Sequence, residues 1–183
     1  PSSVPGRAPS WLRAIFVANL VAQTGIVLTG GLVRLTGSGL GCPTWPQCAA
    51  GSYVPTAEQE QAWHKYVEFG NRTLTFRRGG LAIAAIVGAF SRNCRNRARA
   101  GIGRRPIGWL AAVPLLGTVA QAVLGGITVL TGLNPISVST HFLLSAILIA
   151  LTLLLVVRAN ETGDQPLTVL VHPAIRTLSR VMV

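Results

Sequence analysis

The chain has 183 residues, half of them hydrophobic and only 11% charged, with a net charge of +11 at neutral pH. A soluble domain would intersperse its polar residues, whereas here the apolar ones gather in blocks about 20 residues long, the length that crosses a bilayer as a helix. The basic residues sit between the blocks rather than in a stripe interleaved with aromatics, which is the positive-inside pattern and argues against a nucleic-acid partner.

In chain order, residues 1–13 form a basic segment with Arg7 and Arg13. The apolar run that follows, 14–35, is too long for a secretory leader and lacks a small-residue cleavage site, so it reads as a retained helix. A loop over 36–66 leads to a second span over 67–90, and a basic connection leads to a third over 109–133. The third and fourth (137–157) are joined only by the turn at Asn134-Pro135 and must be antiparallel neighbours. At ~1.5 Å per residue each block covers a hydrocarbon layer of ~30 Å. Helices satisfy their own backbone in lipid, and the alternating strands that a barrel requires are not visible. The fold class is therefore an all-α integral membrane protein, an antiparallel four-helix transmembrane bundle over 14–157.

The connection 91–106 carries Arg92, Arg95, Arg97, Arg99, Arg104 and Arg105 without an acid, and Arg158 follows the fourth block. This places both termini and that connection in the cytoplasm and the 36–66 loop outside, in a multi-pass protein of the cell membrane. The tail 158–183, in which His172 is given no role, ends in an apolar stretch, and the chain begins with Pro1 rather than Met. Both ends are expected to be truncated, with the tail as the start of a second half. Val21-Ala22-Gln23 is echoed by Val119-Ala120-Gln121, each followed by glycines, which suggests a duplicated hairpin. Small residues in the spans let helices approach closely in lipid, or leave room for a flat cofactor.

The loop contains Cys42-Pro43-Thr44-Trp45-Pro46-Gln47-Cys48. On an oxidising face such a pair favours a disulfide, with a metal pair and two free thiols as the alternatives. Cys94, on the cytoplasmic side, reads as a reduced bystander. His141, about one turn into the fourth helix, is a candidate heme-iron ligand, because an ionisable residue inside a span needs a partner; the alternative is a hydrogen bond to a neighbouring helix. His64, just before the second helix, reads as a wet loop residue. Glu68 is the one acid at the head of a span, and its carboxylate suits either a helix N-terminus or catalysis. Asn71 lies three residues on, on the same face, so Glu68, Asn71 and His141 are expected to face one another at similar depth. Arg34 and Arg72, at the outer boundary, suit either ligand carboxylates or lipid headgroups.

Three stretches together resemble the heme A synthases, the enzymes of cytochrome oxidase assembly: 34–48, from Arg34-Leu35-Thr36-Gly37 to Cys48; Glu68-Phe69-Gly70-Asn71-Arg72; and Gln121 to Gly126 with Asn134-Pro135 and Thr140-His141-Phe142. That resemblance implies an eight-helix fold in two halves, of which this chain is the N-terminal one. It implies oxidation of a methyl group of heme O to a formyl group, giving heme A. Molecular oxygen, an unidentified electron donor and heme O synthase are the implied partners, and a heme b cofactor is assigned to the other half. His141 matches the family's fourth-helix histidine, Glu68 its functional carboxylate, and Cys42 with Cys48 its loop pair. Arg34 and Arg72 would hold the propionates.

Two departures stand out. Asn71 occupies a position where many members have histidine, and His64 lies seven residues earlier, ~10 Å away along the helix. Arg77-Arg78 fall inside the second span, where each charge costs ~2.5–3.5 kcal/mol or more at the centre. A non-catalytic heme-binding module and a small membrane scaffold or transporter are the competing expectations.

Overall fold

The computed structural model describes residues 7–100 and 105–161 and, among these, the side chains of all but 95–100 and 105–106. Arg104, His172 and the tail beyond residue 161 lie outside the described residues. The chain folds into four helices, α1 (Ser10–Leu35), α2 (His64–Ala100), α3 (Arg105–Leu130) and α4 (Pro135–Asn160). Each contains a stretch long and apolar enough to cross a membrane. Among the described residues the one β-type pairing is an isolated bridge between Ala49 and Ser52. This is an all-α, membrane-type bundle.

The principal difference from the sequence reading is at the arginine-rich connection. Residues 91–100, expected as a loop, continue α2. Arginine is a good helix former, and the next breaker in the sequence is Gly101, so nothing stops the helix sooner. The connection between α2 and α3 is correspondingly short.

The helices form a ring in which each packs on the next and α4 closes back on α1. α1 and α3 occupy one diagonal, α2 and α4 the other. The end of the ring that carries the 36–63 segment is called here the loop end, and the opposite end the base. At the base the chain is stitched by Ala8 N–H to Ala159 C=O (3.1 Å) and by Arg13 Nη1 to Asn160 Oδ1 (2.9 Å).

α1 and α3 end in the same way. Both carry Gly-Gly-x-x-x-Leu-Thr-Gly, at 30–37 and 125–132. In each case the glycine after the threonine adopts a left-handed φ (Gly37 66°, Gly132 63°). Ser38 N–H then reaches Val33 C=O and Gly37 N–H reaches Arg34 C=O, just as Leu133 N–H reaches Thr128 C=O and Gly132 N–H reaches Val129 C=O. This is the Schellman arrangement, which satisfies the last carbonyls of a helix. This longer echo starts seven residues after Gln23 but four after Gln121, so it is a second likeness between the two hairpins and is not in register with the Val-Ala-Gln one. α4 then opens on Asn134, whose Oδ1 accepts Ile136 N–H at 2.9 Å, with Pro135 at the first helical position.

Packing is uneven along the bundle axis. The base half is a closed apolar core built on Leu12, Phe16, Ala85, Ala111, Leu155 and Ala159, all at most 1% exposed. Gly117 lets α3 approach α4 so closely that a Cβ there would meet Leu148. In the loop half the helices leave their facing side chains half-buried: no residue of α4 before Ser145 and none of α1 between Gln23 and Val33 is buried. The outward faces carry large apolar groups such as Phe76, Leu28 and Leu116, as a lipid-facing surface requires.

Candidate functional site

The 36–63 segment is a folded cap, not a loose loop. Cys42 and Cys48 are bonded to one another (Sγ–Sγ 2.03 Å) and are both buried. Gly41 presses against the first turn of α2, where a Cβ would fall 2.3 Å from the carbonyl oxygen of His64. Lys65, 4% exposed, donates from Nζ to the carbonyls of Thr56 (2.7 Å), Ala57 and Gln59. Gln59 Nε2 in turn donates to the Cys48 carbonyl at 3.3 Å. His64, expected to be a wet loop residue, instead begins α2 and meets Ser38 Oγ through Nδ1 at 2.8 Å.

Glu68 and Arg72 hold this cap onto α2. Their i, i+4 spacing puts both on one face. Arg72 donates from Nε and Nη2 to Glu68 Oε1 (3.0 and 2.6 Å), from Nη2 to the Cys42 carbonyl (2.7 Å), and from Nη1 to the carbonyls of Thr44 and Gln47 (3.0 and 3.1 Å). Glu68 accepts the Cys42 N–H on its other oxygen, Oε2, at 2.7 Å. An arginine has five N–H donors, so the guanidinium is fully committed to the carboxylate and the disulfide loop. Arg72 was expected to meet a ligand carboxylate; the structure gives it a structural partner on every donor. Arg34, expected in the same role, is exposed at the end of α1, and its side chain makes no hydrogen bond or ion pair among the described residues.

Trp45, in the middle of the disulfide loop, crosses to α3. It fills the notch left by Gly126, where a Cβ would lie 2.3 Å from the indole Cδ1, and its ring faces the Arg72 guanidinium at 5.5 Å. Gly126→Ala should therefore push the indole out and destabilise the protein by about 1–3 kcal/mol. Thermal unfolding in detergent checks this; the effect should vanish when the same change is made in a Trp45→Ala background.

Beneath the cap, side-chain bonds fix the helix register. Thr29 Oγ1 donates to Asn71 Oδ1 at 2.7 Å and Asn19 Nδ2 to the Leu81 carbonyl at 2.9 Å, which aligns α1 with α2. Gln121 Nε2 donates to the His141 carbonyl (3.1 Å) and to Ser145 Oγ (2.8 Å), which aligns α3 with α4. Phe90 against Trp109 aligns α2 with α3. Counting from these contacts, His141 falls level with residues 71–74 of α2, directly across the ring on the same diagonal, and Glu68 lies one to two turns nearer the cap, at ~1.5 Å per residue. The His141 ring lies 3.5 Å from where a Cβ on Gly125 would be. Its Nδ1 is buried and without a hydrogen-bond partner. Asn71, by contrast, already has Thr29.

One turn deeper is a polar layer that the sequence pointed to only in part. Asn19 and Gln23 of α1, Arg78 of α2, Thr118 and Gln121 of α3 and Ser145 of α4 are all at most 7% exposed. The Val-Ala-Gln echo marked the two glutamines, and the cost of a charge in a span marked Arg78. Lys65 and Trp45 were missed: the contacts that define them reach loop residues, or another helix, that no local pattern connects.

A sequence model of a family described as "Cytochrome oxidase assembly protein" matches residues 13–183. The heme A synthase of Geobacillus thermodenitrificans is 33% identical over 147 residues, 78% of this chain and 41% of that protein. That of Geobacillus kaustophilus is 31% identical over 152 residues (81% and 43%), and that of Bacillus licheniformis 28% over 156 residues (84% and 47%). The chain spans less than half the length of these curated relatives.

Proposed function

The chain belongs to the cytochrome oxidase assembly protein family, and from that premise we propose that its bundle binds heme O and takes part in oxidising a methyl group of that porphyrin to a formyl group, as a heme A synthase does. The observation that carries this reading is His141: an imidazole inside a span, level with the half-open part of the bundle, with a buried Nδ1 and no partner. Gly125 leaves the ring room. Neutral imidazole is an iron ligand of choice, and the iron of a bound porphyrin would give this otherwise unpartnered ring a partner. The residues present fit one axial ligand. Asn71 on the facing helix offers an amide already bonded to Thr29, so it would not supply a second ligand. The orientation expected from the arginines puts the cap outside the cell and both termini inside, so substrate is held in the outer half of the membrane.

The chain's own residues then have distinct tasks. The disulfide loop, clamped by Glu68 and Arg72 and wedged by Trp45, closes the outer end against water. Glu68, buried beside the loop backbone, places negative charge one to two turns from His141, where it stabilises positive charge that develops as the methyl carbon is oxidised, or takes a proton from it. Molecular oxygen and an electron donor complete the reaction, and heme b belongs to the second half that the family resemblance implies.

A non-catalytic heme carrier is the competing reading. It is favoured by the engagement of both Glu68 oxygens and by the single imidazole. In the full-length protein, Glu68→Ala should keep its porphyrin, seen in a reduced-minus-oxidised spectrum, while heme A yield falls by about 100-fold or more, in the range of a lost electrostatic contact to the transition state. Wild-type yield from that variant removes Glu68 from the chemistry. Porphyrin bound without turnover in the unmutated full-length protein identifies a carrier.

A further inference from the structure

Arg78 is the least explained charge in the molecule. It is 3% exposed, its side chain makes no hydrogen bond or ion pair among the described residues, and its Nη2 is buried without a partner. It lies fourteen residues into α2 from His64, about 21 Å along the helix, so it sits near the middle of the span. Of the five acids in the sequence, Glu68 is bonded to Arg72 and Glu161 to Arg158 at the base; Glu58 and Glu60 belong to the cap and Asp164 to the tail outside the described residues. No acid of the described bundle can pair with Arg78.

The groups around its level are amides and hydroxyls. Gln121 and Ser145 share that level, and Asn19 and Gln23 lie within a turn of it on α1, by the register set above. They can hydrate or solvate a cation, but none carries a countercharge. An unpaired cation at this depth is costly. It is tolerable where the native complex supplies an anion, because the two charges then satisfy one another in a site already stripped of water.

Resting on the reading of the loop half as a porphyrin site, we propose that Arg78 is the floor of that site and binds a carboxylate of the substrate, so that the propionate edge of the ring points into the membrane rather than toward the cap. The placement follows from three facts on the bundle. Arg78 lies about one turn deeper than the level of His141, so a carboxylate on the rim of a ring held through its iron at His141 comes within reach. Side chains on a helix lean toward its N-terminus, and α2 has its N-terminus at the cap, so a long arginine here leans back toward the His141 level. The arginines at the rim are unsuited: Arg72 has no donor left and Arg34 is exposed to headgroups.

The test uses the full-length protein in detergent, titrated with hemin and with hemin dimethyl ester and read by the Soret band. The unmutated protein should prefer the free acid by about 10-fold or more, the value of a charge-assisted bond. Arg78→Leu should lose that preference while binding the ester as before, and Arg78→Lys should keep part of it. Before any porphyrin is added, Arg78→Leu should melt no lower than the unmutated protein, since it removes an unpaired buried charge. A preference that survives in Arg78→Leu, or one abolished by Arg34→Leu instead, overturns the assignment with the porphyrin site intact. A lower melting temperature with both porphyrins weakened overturns it in favour of a structural role. If neither porphyrin binds the unmutated protein, the reading of the cleft fails, and the assignment of Arg78 fails with it.

Discussion

Arg72→Met should destabilise the protein by about 3–5 kcal/mol, the cost of leaving one partner of a buried ion pair uncompensated. The side chains of Arg72 and Glu68 are 15% and 7% exposed, so little of this is screened by water. The substitution removes the guanidinium donors to the Glu68 carboxylate and to three loop carbonyls together, and leaves Glu68 with backbone N–H donors such as that of Cys42 but no countercharge. Two measurements follow. Unfolding in mixed detergent should show the loss of stability. The Cys42–Cys48 bond, inaccessible when the cap is seated, should become reducible by a water-soluble phosphine at concentrations the unmutated protein resists. Adding Glu68→Gln to Arg72→Met should recover part of the stability, because the stranded charge is gone, but not the protection of the disulfide, because the loop carbonyls still lack their donor. Unchanged stability and unchanged protection in Arg72→Met would mean that the cap is held by the disulfide and Lys65 without the guanidinium.

This prediction differs from what the sequence suggested for the same residue, and the reason is physical. Glu68 and Arg72 at i, i+4 look identical in sequence whether they face headgroups, a ligand or a loop. What fixes the role of Arg72 is a set of carbonyls 25–30 residues away, brought to it by the fold of the disulfide segment. The spans themselves were legible because lipid leaves few ways to bury a backbone: apolar length alone determines a helix. The end of α2 was not, because arginine is equally at home in a loop and in a solvated helix, and only the absence of glycine or proline between Gly88 and Gly101 tells them apart. For His141 the sequence supplied the residue type and the depth along its helix. The opposing level on α2 came from Gln121 with Ser145, which sets α4 against α3, and Phe90 with Trp109, which sets α3 against α2, pairs that no spacing rule links.

His141→Gly should abolish the axial-ligand signature of the bound porphyrin and weaken its affinity by about 100-fold or more, beyond the 10–100-fold that even the loss of a group orienting a metal ligand produces. The effect is expected to be large because the described residues of the bundle offer iron no substitute within reach. Asn71 is bonded to Thr29, and His64, the nearest other imidazole on the facing helix, is held by Ser38 and stacked on Trp63 at 4.1 Å. The backbone should tolerate the change: Gln121 binds the carbonyl of residue 141, not its ring, so the α3–α4 contact survives truncation. Free imidazole added to the variant should therefore restore the spectrum, since the space the ring occupied beside Gly125 persists. Restoration separates loss of a ligand from loss of fold. An unaltered spectrum and affinity in the variant would show that His141 does not ligate the iron.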